Sequence, residues 1–310
     1  MDKELIVIGI GTYKRPKMLR NALESLQELK VPADLSVQLV IVDNEANSNA
    51  RNIVHQATNK LPFKIHYHCE PKRGIVHVRN KILNVANDLE GTYLAFIDDD
   101  ETASPDWIEE LYQSIVKYDA QIVAGKVEYQ IPEDCPNWIK ERDFYGLKYH
   151  KTGDRVTSAS TNNVMYFLPF ILQHNVYFDE KLNETGSSDT QFCHRLIRKG
   201  GKAIWCEEAV TYEIVPPQRL TKSYILERAF KTGFTTHLRN VIRFGKMLAS
   251  VISLLHVLFF LLKWFFLNIR NGFFRKSDRI FNARQLAIAK GSISAVFGSK
   301  YRAYEVIHGE

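Results

Sequence analysis

The sequence contains few cysteines and no cysteine motif. Its four cysteines, Cys69, Cys135, Cys193 and Cys206, lie far apart, and no two of them form a C-x-x-C pair. This spacing argues against a structural zinc site and against a disulfide framework, and it suits a reducing cytosol. The sequence also has no internal repeat and no low-complexity segment.

The first residues lack the signature of a signal peptide. Met1-Asp-Lys-Glu leads straight into a strand pattern, without the basic and then apolar order of a secretory leader, so we expect none. A chain of 310 residues, 45% of them hydrophobic, is long enough for one large domain with an appendage, or for two small domains.

Acidic residues are scarce near the C-terminus, although the whole chain has a net charge of only +6. Residues 238–284 contain one acid, Asp278, against the basic residues Arg239, Arg243, Lys246, Lys263, Arg270, Arg275, Lys276, Arg279 and Arg284. Such a segment binds either nucleic acid or an anionic membrane surface. Because an apolar run at 247–267 lies inside it, we expect an anionic membrane surface and no nucleic acid.

The first half of the sequence alternates between strand and helix patterns. Short β-branched runs predict strands, and apolar residues at helical spacing predict helices between them. The predicted strands are 5–10, 37–42, 63–67, 93–97 and 121–127, and the predicted helices are 16–29, 48–59, 75–89 and 107–117. This order predicts an α/β fold with a doubly wound, mostly parallel sheet. Ligands of such sheets bind beyond the carboxyl ends of the strands.

The second half of the sequence completes the predicted sheet and then changes character. A strand at 161–167, a helix at 189–199 and two short strands at 203–206 and 209–215 precede Pro216-Pro217, which ends the sheet pattern. We therefore predict an α/β domain over residues 1–217 and a helical C-terminal region over residues 218–310.

Three consecutive aspartates, Asp98, Asp99 and Asp100, directly follow the predicted strand 93–97. Adjacent like charges at a strand end normally need a cation, and carboxylates suit Mg²⁺ or Mn²⁺ shared with substrate phosphates. An acidic turn is the alternative. Because Asp43 and the run 11–16 also follow strands, three loops should meet at one sheet edge, which favours a phosphate-bearing ligand.

Five motifs in order resemble the family 2 glycosyltransferases of the GT-A fold, over about residues 5–240. The motifs are TYKRP at 12–16, VDN at 42–44, GIVHVRN at 74–80, FIDDDE at 96–101 and GSSDTQF at 186–192. The sequence is most similar to bacterial exopolysaccharide and lipid-linked-oligosaccharide enzymes. The resemblance implies a GT-A catalytic domain that takes a nucleotide-sugar donor, most readily a UDP-sugar, and transfers the sugar with inversion.

The resemblance also implies roles for the motif residues. Asp98 and Asp100 are expected to hold Mn²⁺ or Mg²⁺. The expected donor-binding residues are Thr12, Arg15, Asp43, Arg79, Asp98 and Asp99, with Asp43 accepting a hydrogen bond from the uracil ring and Asp98 able to face the ribose. Arg79 could instead be an arginine on a helix surface.

The acceptor hydroxyl must lose a proton as it attacks, and Asp189 is the predicted general base. The alternative for Asp189 is a helix N-cap. Many family members have an acid where this chain has Ser188, so Glu184 is kept as a second candidate. Glu213 lies where relatives place a histidine or acid near the metal, but we expect a solvent-facing strand residue. His66 and His68 are expected to be structural.

Residues 247–267 form an apolar run of 21 residues in which only His256 and Lys263 are ionisable. A spanning helix needs about 20 apolar residues. Lys263 and the basic residues on both sides favour a helix that dips into or lies on one leaflet, and a core helix is the alternative. A further helix is predicted at 281–304. Nucleotide-sugars are cytosolic, so we expect the cytoplasmic face of the plasma membrane and an acceptor that is a glycan, such as a polyprenyl-diphosphate-linked saccharide.

Two other functions stay open on the sequence alone. A nucleotidyltransferase also uses a doubly wound sheet with acidic metal ligands, although TYKRP is a poor version of its glycine-rich loop. A non-catalytic sugar-binding or membrane-binding scaffold is the alternative from another class. The intact aspartates and Asp189 favour the enzyme.

Overall fold

The computed structural model describes residues 3–45, 50–142, 144–145, 150–183, 186–271 and 276–299. Its strands form one eight-stranded sheet of order β3-β2-β1-β4-β7-β6-β8-β5. The strands are β1 (Glu4–Thr12), β2 (Leu35–Asp43), β3 (Lys64–Cys69), β4 (Tyr93–Ile97), β5 (Glu101–Ala103), β6 (Ile122–Gln130), β7 (Asn163–Phe167) and β8 (Ala203–Ile214). The predicted α/β sheet is confirmed.

The first four strands are parallel, and their carboxyl ends lie level with one another. In the register of the sheet, Thr12 pairs with Asp43, and Asp43 pairs with Cys69. β4 lies on the other side of β1, so the residues after Ile97 emerge at the same edge. Strands buried on both faces read as continuous apolar runs, which is why this half was predictable.

The other half of the sheet is mixed. β7 is antiparallel to both β4 and β6, whereas β8 is parallel to β6 and antiparallel to β5. The prediction of two short strands at 203–206 and 209–215 is wrong, because β8 is continuous, with a register shift against β6 between Gly125 and Lys126. Asn163 stabilises this shift by donating to the carbonyl oxygens of Lys126, at 2.9 Å, and Ala209, at 2.8 Å.

Helices cover both faces of the sheet. They are α1 (Pro16–Ser25), α2 (Ala50–Thr58), α3 (Ile75–Asp88), α4 (Trp107–Lys117), α5 (Asn137–Lys140), α6 (Leu168–Gln173) and α7 (Ser188–Arg198). Buried side chains of α1, α2 and α4 form one apolar core, and those of α3, α6 and α7 form the other. The predicted start of the second helix, at 48, lies outside the described residues.

Three long helices follow the sheet: α8 (Lys222–Phe244), α9 (Lys246–Asn271) and α10 (Lys276–Val296). α8 and α10 approach closely at two glycines. A Cβ atom at Gly233 would lie 2.0 Å from the Ile288 carbonyl oxygen, and one at Gly291 would lie 2.0 Å from that of Phe230. α8 is tied to α9 by the buried pair of His237 Nδ1 and Ser253 Oγ, 2.9 Å apart. The predicted helix at 281–304 is observed as far as Val296, and residues 300–310 are not described.

α9 exposes much of its apolar surface. Within its segment Lys246–Arg270, a stretch of 18 residues has a mean hydropathy of 2.1 and only 11% of that stretch is buried, so by length and composition this helix could cross a membrane. Leu255 is 62% exposed and Phe266 is 63% exposed. The alternative of a core helix is therefore wrong, because a core helix would bury these side chains.

The helices of the C-terminal region also contact the sheet region. Trp138 and Phe144 share an apolar cluster with Val215, Ile225 and Ile280. Nearby, Arg142 pairs with Asp278 at the start of α10, and Ser277 donates to Glu141 at 2.6 Å. The division at residue 217 into two domains stays a prediction.

Candidate active site

The loop after β1 is bound directly to the aspartates that follow β4. Arg15 donates through one nitrogen to Asp99 Oδ1 and to Asp100 Oδ2, both at 3.1 Å. Thr12 Oγ1 donates to Asp99 Oδ2 at 2.7 Å. The structure thus brings together four of the predicted residues, Thr12, Arg15, Asp99 and Asp100, as the level strand ends predict.

The aspartates differ in their surroundings. Asp99 is only 4% exposed, and burial raises its pKa to about 7 although Arg15 opposes this. Asp98 is half-buried, and burial followed by the charge of Asp100 raises its pKa to about 6. Asp98 and Asp100 therefore repel each other in a poorly solvated place, whereas both oxygens of Asp99 are bonded within the protein.

A second acidic pair borders the aspartates. Glu101 on β5 lies opposite Glu213 on β8, and both are buried. Burial, followed by Asp100, raises the pKa of Glu213 to about 7. The expectation of a solvent-facing Glu213 is wrong, because the pairing of β5 with β8 turns this side chain inward while its neighbour Ile214 is 59% exposed.

Arg219 bridges the two acidic groups, and the sequence reasoning missed it. Its guanidinium pairs with Glu213 and lies 3.4 Å from Asp100 Oδ2. Arg219 lies two residues after Pro217, in a segment where the sequence shows neither strand nor helix periodicity. Its position just beyond the end of β8 was the available signal, because strand ends are where ligands bind.

Asp43 is completely buried at the end of β2. Its Oδ2 accepts from the Tyr67 hydroxyl at 2.9 Å, and its Oδ1 accepts from the Glu45 N–H at 2.9 Å. Burial and this bond raise the pKa of Tyr67 to about 12. Next to it, Asn44 Oδ1 accepts from the Gly74 N–H at 2.7 Å, so the second motif is bonded to the third.

Gly74 begins the third motif in a conformation that glycine alone adopts easily. Its φ is +130°, and a Cβ there would lie 2.0 Å from the side-chain amide of Asn183. Further along α3, Asn80 binds the backbone of Phe178 twice, through its Nδ2 to the carbonyl at 3.0 Å and its Oδ1 to the N–H at 2.9 Å. These contacts hold α3 against the segment that leads into α7.

Arg79 joins α3 to the fifth motif. It donates to Ser188 Oγ at 2.9 Å, its guanidinium lies 5.7 Å from the centre of the Phe178 ring, and its charge opposes the raised pKa of Asp98. The alternative of a helix-surface arginine is therefore wrong.

Asp189 is half-buried in the first turn of α7. Ser187 occupies the N-cap position with φ of +67°, so Asp189 is not the N-cap residue, although its Oδ1 accepts from the Thr190 N–H at 2.7 Å. Its charge contributes to the raised pKa of Asp98, so the two carboxylates lie within range of electrostatic interaction. Glu184, the second candidate base, lies outside the described residues.

The two strand histidines fit a structural role, which stays a prediction. His66 Nε2 lies 2.7 Å from Gln38 Oε1 on the neighbouring strand, and burial lowers the pKa of both His66 and His68.

Residues 7–173 match the profile of a family described as glycosyl transferase family 2, which covers more than half of the chain. The protein belongs to glycosyl transferase family 2. The succinoglycan biosynthesis protein ExoM of Rhizobium meliloti is 31% identical over 231 residues, 74% of this chain and 73% of ExoM. The glycosyltransferase GlyA of Streptococcus pneumoniae is 28% identical over 170 residues, 54% of this chain but 21% of GlyA.

Two solved structures share the fold. A mannosyltransferase from Pyrobaculum calidifontis, in complex with GDP-Man and Mn²⁺, superposes with a TM-score of 0.64 at 14% identity, over 95% of this chain and 88% of its own. TarS 1–349 of S. aureus, in complex with UDP, gives 0.53 at 17% identity, over 99% and 95%. This family 2 member is thus a GT-A glycosyltransferase that uses a nucleotide-sugar, and neither the nucleotidyltransferase nor the non-catalytic scaffold holds.

Proposed function

We propose that this family 2 member is an inverting, metal-dependent enzyme that transfers a sugar from a UDP-linked donor to a hydroxyl of a lipid-linked glycan. The reaction belongs to cell-surface polysaccharide synthesis, as the similarity to ExoM suggests. One observation supports the proposal: the Arg79–Ser188 contact joins the third motif to the fifth, next to Asp189, whose charge acts on Asp98.

The aspartates fit a divalent cation. Asp98 and Asp100 are hard oxygen donors whose mutual repulsion in a buried setting a cation would relieve. We assign Mn²⁺ or Mg²⁺ to these two residues, and the complex of the mannosyltransferase neighbour also contains Mn²⁺. When bound, the ion would supply positive charge to the leaving nucleoside diphosphate.

The remaining predicted residues bind or position the donor. Asp43, buried beside Tyr67, accepts from the uracil ring, and Arg79 faces the diphosphate. Thr12 and Asp99 already bind each other, so we assign them the positioning of Arg15 rather than a direct donor contact. Charge-assisted hydrogen bonds of this kind hold an arginine in one geometry.

Asp189 accepts the proton of the attacking hydroxyl. The leaving diphosphate and the incoming hydroxyl lie on opposite sides of the anomeric carbon, so a single displacement inverts that centre. α9 holds the enzyme at the membrane. Because nucleotide-sugars are cytosolic, the active site lies on the cytoplasmic side. There the catalytic region meets the saccharide of a polyprenyl-diphosphate-linked acceptor.

The substitution Asp189→Asn tests the proposal. UDP- and GDP-sugars are first screened with Mn²⁺ for thermal stabilisation, since a ligand that binds only the folded state raises its stability. The stabilising donor is then assayed with lipid extracts that contain polyprenyl-diphosphate-linked saccharides. General-base catalysis contributes about 10²–10⁴-fold, so transfer should fall by at least about 10²-fold while UDP–Mn²⁺ affinity is kept.

Asp154→Asn, which neutralises an exposed carboxylate, is the matched control and should leave transfer unchanged. Normal turnover in the Asp189 variant would remove this residue from the role and make Glu184 the candidate. Release of pyrophosphate instead of a nucleoside diphosphate would contradict the reaction type.

A further inference from the structure

Helix α9 packs against α8 and α10 along one narrow stripe. The buried side chains of this stripe lie four residues apart and are Ala249, Ser253 and Val257. His237 of α8 bonds to Ser253, and farther along α9 the Nδ2 of Asn282 on α10 donates to Asn268 Oδ1 at 3.1 Å. Polar bonds therefore join α9 to both neighbouring helices over about 22 Å of its length.

The opposite side of α9 is apolar without interruption. Its twelve exposed large apolar side chains fall on a continuous arc of about 160° at about 100° per residue, which we call the apolar arc. Leu255, Leu262 and Ile269 lie along the middle of this arc, seven residues apart. The ionisable residues of α9, which are Lys246, His256, Lys263 and Arg270, all lie outside it.

Three of these ionisable residues border the apolar arc. His256, Lys263 and Arg270 are exposed and follow one another at intervals of seven residues. Each is about 20° around the helix from the last, so they form a row about 21 Å long that runs nearly parallel to the helix axis. We call it the basic row. The Lys263 ammonium lies 6.0 Å from the centre of the Phe259 ring, so it is close to the apolar arc.

These positions distinguish two ways in which α9 could contact a membrane. If α9 crossed the bilayer, the basic row would run through most of a hydrocarbon core about 30 Å thick. Arg239 of α8 and Arg279 of α10, within three residues of the bonds to α9, would enter the core with it, which is costly. If α9 lies in the plane of one leaflet, the whole basic row lies at a single depth among the headgroups.

We propose that α9 lies in the plane of a single anionic leaflet, with the apolar arc among the acyl chains and the basic row on the lipid phosphates. The inference rests on the proposed function, which has α9 at the membrane, and adds the orientation and the lipid chemistry. α8 and α10 then cover α9 on the water side, because the stripe bonded to them is opposite the arc. An anionic headgroup complements the charge of the row.

The depth of the apolar arc tests the orientation. Full-length Leu255→Cys, Leu262→Cys and Ile269→Cys are each labelled with a thiol-reactive fluorophore and bound to phosphatidylcholine vesicles that contain phosphatidylglycerol and lipids with quenchers at graded depths. All three labels should report the same depth, about 5–10 Å below the headgroup boundary. Val116→Cys, at an exposed residue of α4, should stay unquenched, and the unsubstituted chain gives the background from half-buried Cys69.

The basic row is tested by K263Q/R270Q. This variant should bind phosphatidylglycerol vesicles about 30-fold more weakly than the wild type and bind pure phosphatidylcholine vesicles equally well. The control K60Q/K117Q removes the same charge from two exposed lysines of the sheet region and should lose little affinity. Equal losses in both variants would contradict the role of the row, because net charge alone would then explain the binding.

Two results would overturn the orientation. A spanning α9 would give labels that differ in depth by up to about 21 Å. Unquenched labels on a chain that sediments as a dimer would show that a second copy covers the apolar arc. A chain that binds no vesicle would contradict the membrane attachment in the proposed function as well, whereas unequal depths contradict this inference alone, so the two failures are distinguishable.

Discussion

The carboxyl edge of the sheet buries charged side chains, whereas the C-terminal helices expose large apolar side chains. Both arrangements are the reverse of what is usual in a folded protein. At the sheet edge, Asp99 and Glu101 are 4% and 1% exposed, although carboxylates are almost never buried without partners. On α9, Leu255 and Phe259 are 62% and 56% exposed, although large apolar side chains are usually covered.

The two departures are stabilised differently. The buried carboxylates pair with cations inside the protein, Arg15 and Arg219, and a bound metal ion would relieve the mutual repulsion of Asp98 and Asp100. In the described part of the chain, α9 leaves most of its hydrocarbon exposed, and we propose that a lipid leaflet covers it. The comparison supports the proposal that one region binds a charged ligand and the other binds lipid.

The largest expected effect is loss of the metal. EDTA should abolish transfer, and added Mn²⁺ or Mg²⁺ should restore it. Because a bound ion supplies several kcal/mol of transition-state stabilisation, Asp100→Asn should lower the transfer rate by at least about 100-fold. The dependence of UDP affinity on Mn²⁺, measured by titration calorimetry, should weaken in parallel. Exposed Asp34→Asn is the control, and full activity without metal would contradict the assignment.

The next largest effect is expected on the exposed apolar surface of α9. Replacing Leu255 and Phe259 by glutamate should reduce partition into phosphatidylglycerol vesicles by at least about 3 kcal/mol, since each buried side chain contributes about 1.5–3 kcal/mol. Val116→Glu makes the same kind of change at a residue that is 55% exposed on α4, and it should leave partition unchanged. Equal partition of all three proteins would show that α9 does not enter the lipid.

A smaller effect is expected at the crossing of α8 and α10. Gly233→Ala places a methyl group against the Ile288 carbonyl, which belongs to a helix backbone and cannot rotate away. Overpacking of this kind costs about 1–3 kcal/mol in the free energy of unfolding, measured by urea denaturation. Thr232→Ala, one residue earlier and exposed, should change stability little. If both variants are equally stable, the close approach is not important for stability.

The smallest effect is expected near Asp43, the proposed contact of the uracil ring. Tyr67→Phe removes the hydroxyl that donates to Asp43 and leaves one carboxylate oxygen without that partner. Because Tyr67 is half-exposed, water replaces part of the bond, so the free energy of unfolding should fall by about 1 kcal/mol. UDP affinity should fall only a few-fold. Tyr177→Phe, at a residue that is 37% exposed, serves as the control. An unchanged UDP affinity would argue against Asp43 as the base contact.

The sequence predicted the parts of the fold that depend on local order. The apolar runs of β1, β2 and β4 and the helical spacing of α3 and α4 lie close to their predicted bounds, because each pattern is set by neighbouring residues. The continuity of β8 was not predictable in the same way. It depends on Gly125 and on Asn163, far away in the sequence, which together accommodate the register shift.

The sequence by itself determined the family, the order of the five motifs and the strand ends that carry them, because these follow from residue type and periodicity along the chain. Only the tertiary structure decided that Glu213 faces inward, that Arg219 bridges it to Asp100, and that Arg79 holds the helix of Asp189. It also decided that the apolar surface of α9 remains exposed. These outcomes depend on contacts between residues distant in sequence, and no local pattern contains them.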